Sequence, residues 1–192
     1  MTDLFVALTA VGAAWLVAFV VLQTAVAWRQ WRGTRVVTCP ETGRPAAVDV
    51  SLRHAIAGSI VGRPDLRLRD CSRWPGRSRC GQTCLDEVEE APEGCLVRAM
   101  LQRWYADRAC VYCRRPFGLI HWHDHRPGLR DPADGRLREW REVPAETLPE
   151  VLRTHEAVCW NCLTAETFRL RFPELVVDRP ARPQSHGARS SA

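Results

Sequence analysis

Cys110-Val111-Tyr112-Cys113 and, after 45 intervening residues, Cys159-Trp160-Asn161-Cys162 decide how this chain folds. A two-residue spacer lets the backbone curl so that both sulfurs of a pair face one centre, and two such pairs can enclose a tetrahedral ion. Closing the long loop between them removes entropy from the unfolded chain, so ion binding becomes folding energy. The first pair stands in a turn that continues through Arg114-Arg115-Pro116-Phe117-Gly118, and the second opens a helix expected over residues 159–172, ended by Pro173. The free amides and partial positive charge of a helix N-terminus favour thiolate, the form that ligates metal.

Outward from this pair of pairs, residues 119–125 alternate as a strand, a loop rich in Pro, Gly and Asp follows to residue 135, and a second strand is expected at 137–143. Thr147-Leu148-Pro149-Glu150 has the spacing of a capping box at the head of a short helix. Knuckle, hairpin and cysteine-bearing helix in this order resemble the treble-clef group of zinc fingers over roughly residues 109–172. The resemblance implies one structural zinc held by Cys110, Cys113, Cys159 and Cys162.

The first thirty residues belong to a different solvent. From Leu4 to Trp28 there are 25 residues without a charge, and at about 1.5 Å per residue such a helix exceeds the ~30 Å hydrocarbon core of a bilayer. Only Asp3 precedes the run, whereas Arg29, Arg32 and Arg35 follow it. By the positive-inside rule this is a single-pass anchor in the cell membrane with the rest of the chain in the cytoplasm. A secretory signal peptide competes, since Ala25-Val26-Ala27 resembles a cleavage site, but the n-region has no basic side chain and the apolar run is longer than usual. The choice governs the thiols: nine cysteines stay reduced and bind metal in the cytoplasm, and pair as disulfides outside.

Between anchor and first pair, residues 36–50 read as a hairpin around the turn Pro40-Glu41-Thr42-Gly43-Arg44-Pro45, residues 66–69 as a strand leading into Cys71, and residues 84–90 and 92–107 as helices. Cys71, Cys80, Cys84 and Cys95 make a second candidate metal set, with Cys39 as an outlying fifth thiol. Zinc or an iron-sulfur cluster would suit such a set, because both take thiolates without demanding one sequence order.

His121, His123 and His125 alternate with Trp122 and Asp124, so on a strand all three imidazoles would share a face and could hold a catalytic metal. The stretch His123-Asp124-His125-Arg126-Pro127 between two cysteine pairs faintly resembles HNH-type nucleases. That resemblance implies His125 as general base and Asp124 as metal ligand. The chain departs from the pattern in having no Asn in the loop before the second pair and no His after Cys162 on the helix.

The net charge is +5, and all 27 basic side chains are Arg, interleaved with Asp and Glu as in Arg136-Leu137-Arg138-Glu139-Trp140-Arg141-Glu142. This is a mixed solvated surface rather than a single-sign stripe, which argues against nucleic acid as the partner. The fold class expected is α+β: an N-terminal transmembrane helix followed by a small zinc-stapled domain. Residues 1–35 form the anchor with its basic juxtamembrane stretch, 36–107 a cysteine-containing segment, 108–177 a zinc-finger-like segment and 178–192 a disordered tail. The function expected is a non-catalytic interaction or assembly module with a protein partner. The alternatives are iron-sulfur electron transfer at Cys71 to Cys95 and a metal-dependent hydrolase or nuclease at His121 to His125.

Overall fold

Why the long N-terminal helix ends where it does sets the plan of the molecule. The computed structural model describes residues 2–62, 65–76 and 79–176; the tail expected to be disordered lies outside them. Helix α1, Thr2–Trp31, is about 45 Å long at 1.5 Å per residue. It is long and apolar enough to cross a membrane, and a signal sequence at this position would share that character. Its side chains stay outside any protein core until Ala27 and Trp31, which are 1% and 3% exposed. Gly33 then turns the chain with φ of +100°, where an added Cβ would press on the Leu96 side chain at 3.1 Å.

Arg35 closes this junction. Its guanidinium is fully buried and donates to the carbonyls of Gln30, Trp31 and Gly33, satisfying acceptors that the end of α1 leaves open. Burial pulls its pKa down, and Cys95 and Asp49 offset part of that shift. Replacing Arg35 with Met is expected to leave those carbonyls without a donor and to cost about 3 kcal/mol, read as a lower denaturation midpoint; unchanged stability would rule out this role.

Beyond the junction stand two three-stranded antiparallel sheets, ordered β1-β2-β3 and β5-β4-β6. In the first, β1 (Arg35–Thr38) pairs with β2 (Pro45–Val50), and β2 with β3 (Leu68–Cys71), close to the hairpin and strand read from the sequence. Helix α2, Leu52–Val61, had no expectation attached to it. Helix α3 is Cys84–Glu90, as expected, and α4 is Val97–Ala106, shorter than expected. Its start is delayed because Leu96 bridges to Arg35 at the free edge of β1 and the Cys95 carbonyl accepts from Val36.

Alternation along β1 couples two cores. Val37 joins Ala27, Trp31, Val48, Ala55 and Val88 on one side, while Val36 joins Leu101, Tyr105, Leu129, Leu148 and Leu152 on the other. The second sheet consists of β4 (Gly128–Arg130), β5 (Leu137–Glu139) and β6 (Glu156–Val158), with α5 (Leu148–Thr154) ahead of β6 and α6 (Trp160–Arg171) after it. Mixed helix and sheet agrees with the expected α+β class.

Three expectations need correction here. Residues 119–125 are not a strand: the amides of Asp124 and His125 both donate to the His121 carbonyl, at 3.2 and 3.0 Å, and curl the segment into a turn. The hairpin strand is instead β4, whose two edges are taken by β5 and β6. Its first residue is Gly128, where Leu163 packs so closely that a Cβ would lie 2.7 Å from both Leu163 methyls. The capping box at Thr147 does not form, since the hydroxyl donates to the Pro144 carbonyl at 2.8 Å. Strand β5 is also shorter than expected, giving way to a 3-10 turn at Trp140–Glu142.

Candidate metal centre

The Cys110 turn is a tight knuckle fixed by its own backbone. The Cys110 amide donates to the Arg115 carbonyl and the Arg114 amide donates to the Cys110 carbonyl, both at 2.9 Å, with Arg114 in the left-handed region at φ of 59°. The Val111 amide donates to the Ala157 carbonyl at 2.9 Å, tying the knuckle to β6. Since β6 ends at Val158, the next residue, Cys159, arrives beside Cys110. Its amide donates to the Cys110 sulfur at 3.3 Å, and it starts α6 as the N-cap with no side-chain capping bond of its own. The first turn then carries Cys162 to the same place.

The four sulfurs of Cys110, Cys113, Cys159 and Cys162 lie within 4.8 Å of one another, a set that could hold a metal ion. Cys113 and Cys159 are 3.8 Å apart. Cys110 is fully buried against Val158 and Leu163, and Cys113 reaches the surface. Among the described residues this is the one group of three or more Cys, His, Asp or Glu side chains that converges so closely.

Electrostatics at the cluster favour a cation. Burial opposes ionisation of Cys110, yet the amides of Cys113, Cys159 and Tyr112 outweigh it, and the thiol settles at about 7. Cys162 is driven well above the ordinary thiol range, first by burial and then by Cys159, Cys113 and Cys110; burial also raises Cys159. One thiolate forms easily and the next ones are resisted by a like charge, which a bound cation would reverse.

Cys71, Cys80 and Cys84, the first three of the second candidate set, line one small cavity, but the fourth thiol in its wall is Cys39. Cys95 does not line it. Its thiol donates to the Ala91 carbonyl at 3.4 Å and sits by Arg35, inside the core behind the α1 junction. Spacing along the chain had suggested the opposite assignment of Cys39 and Cys95. Cys84 is pushed up to about 11, by burial first and then by Cys71, Cys80 and Cys39.

The histidines are not brought together as ligands. His121 and His125 edge a shallow groove with Trp160 and Asn161, and the His125 ring meets Trp160 edge-on at 4.8 Å. His123 is exposed on the turn. What sequence reasoning missed is β6, whose three residues are too few to read as a strand and which nevertheless aims the second cysteine pair at the first. Comparison with protein-family models, curated proteins and solved structures finds no match to this chain.

Proposed function

We propose that the chain is a single-pass membrane protein whose cytoplasmic domain, stapled by one zinc ion at Cys110, Cys113, Cys159 and Cys162, serves as a non-catalytic interaction or assembly module. The observation that carries the reading is the convergence of four thiols from two separate elements. The 3.8 Å separation of Cys113 and Cys159 fits one edge of a tetrahedral zinc site, where Zn–S bonds near 2.3 Å give an edge of about 3.8 Å. Knuckle, β4-β5 hairpin and α6 follow in treble-clef order.

An uncleaved anchor is supported by the burial of Ala27 and Trp31 in the core with Val37 and Val48. Cleavage after Ala27 would take away one core member and the helix that presents the other. Arg29 and Arg32 stay exposed next to the span, as an orientation with the domain in the cytoplasm requires. For a partner, α6 and the residue after it offer Phe168 and Phe172, 45% and 38% exposed with their rings 5.2 Å apart, an apolar patch of the kind that marks protein contacts.

The test is made on the full chain in its membrane. A fluorescent protein fused to the C-terminus is expected to glow and a C-terminal alkaline phosphatase to stay inactive; an active phosphatase overturns the topology. A photo-crosslinker placed at Phe168 is expected to capture a discrete protein adduct, and its absence counts against the module reading. Detergent-purified protein should be colourless and contain zinc, whereas a brown sample would transfer the reading to iron-sulfur chemistry.

A further inference from the structure

The turn at Cys39 repeats the knuckle at Cys110 almost bond for bond. The Cys39 amide donates to the carbonyl five residues on, Arg44, at 2.9 Å, as the Cys110 amide does to Arg115. The Cys39 carbonyl accepts from Gly43 at 2.8 Å, as the Cys110 carbonyl does from Arg114. Gly43 and Arg114, at the same offset, share the left-handed conformation with φ of 63° and 59°. Where the second knuckle has Cys113, the first has Thr42. A knuckle of this shape is a device for exposing a sulfur to a centre while backbone amides point at it, and here it supplies one sulfur instead of two.

The fold then delivers three more. Cys71 ends β3, and Cys80 and Cys84 stand before and at the start of α3; all three face the cavity that Cys39 walls. The space between them is about 30 Å³, enough for one small ion or a water and too little for a larger guest. Donors surround the sulfurs as they do in thiolate sites: the Thr42 hydroxyl and the amides of Glu41 and Thr42 reach Cys39, and the Arg73 amide reaches Cys71 at 3.5 Å. Trp74 and Leu68 close the cavity with apolar surface.

We propose that Cys39, Cys71, Cys80 and Cys84 form a second four-thiolate site that binds one zinc ion, with Cys95 outside it. The set is more open than the first, since no three of its sulfurs converge as the first four do, and zinc binding would require the half-buried side chains of Cys39, Cys80 and Cys84 to turn inward about χ1. The ligand plan mirrors the first centre, a knuckle on one side and a helix start on the other, with Cys71 replacing the thiol that Thr42 lacks. Zinc here would staple the first sheet to α3, a seven-residue helix with one buried side chain, Val88.

The experiment measures zinc per chain in detergent-purified, reduced full-length protein and in its variants. One equivalent is expected to be lost in Cys39→Ser and in Cys84→Ser, retained in Cys84→His, which keeps a zinc ligand, and retained in Cys95→Ser. Zinc content in Cys84→Ser equal to that of the parent overturns the proposal, and so does loss in Cys95→Ser with retention in Cys39→Ser. Cys113→Ser tests the other centre separately, since the zinc lost there should add to that lost at Cys84. Where a serine variant fails to fold, the parent still decides: its half-exposed Cys39, Cys80 and Cys84 should resist alkylation as purified and react once zinc is chelated. Rapid alkylation of all three before chelation overturns the site.

Discussion

Serine at Cys113 or Cys162 is expected to empty the first centre and to cost the C-terminal half more than about 3 kcal/mol. Removing one ligand leaves three thiols for an ion that needs four, and burial, which holds Cys159 and Cys162 above the ordinary thiol range, resists the thiolate form that ligation requires. Without a cation the junction of the knuckle, β6 and α6 rests on backbone hydrogen bonds and on a few apolar contacts. The smallest of the three hydrophobic clusters, Cys110, Val158 and Leu163, cannot replace the ion. The result is read as zinc per chain together with a denaturation midpoint. Retention of both zinc and stability in Cys162→Ser would remove the centre from the fold. Acid should act in the same direction, because zinc binding displaces protons from the thiols that do not ionise unaided, so affinity falls as pH drops.

Local chemistry made part of this molecule readable in advance. The two cysteine pairs, the turn at Pro40 to Pro45, α3 and α6 all announce themselves through spacers, turn residues or helix ends within a few positions. The strand misplaced at His121 to His125 shows the limit. Its alternation is real, but alternation needs a sheet edge to pair with, and both edges of β4 are occupied by β5 and β6. The glycine at the first position of β4 answers to Leu163 lying over it, a contact 35 residues away in the chain. The exchange of Cys39 for Cys95 has the same origin. Distance along the chain put Cys95 with Cys71 to Cys84, whereas β1 and β2 fold Cys39 back onto them and leave Cys95 against Arg35. A usable signal was present in the sequence all the same: Cys39-Pro40-Glu41-Thr42-Gly43 is a knuckle with Thr in place of its second cysteine.

Trp31→Ala is expected to cost about 3–5 kcal/mol and to lower Tm by roughly 10 °C, although Trp31 ends a helix in which Ala27 is the only other buried residue. The indole is 3% exposed and packs in one core with Val37, Ala46, Val48 and Val50, while the Arg35 guanidinium lies 5.7 Å from its ring centroid. Its loss opens a cavity beneath the same guanidinium that fastens the end of α1, so packing and the junction weaken together. Trp28, one turn earlier, supplies the control. It is 45% exposed, with Arg32 over its ring at 4.1 Å, and Trp28→Ala should move stability by no more than about 0.5 kcal/mol. Both variants are compared in the same detergent by thermal denaturation of the full chain. Equal, small effects would mean that α1 is merely appended to the domain, as a removable leader would be. A large loss confined to Trp31 would mean that the helix is part of the core it carries, so that α1 and the folded domain form one unit.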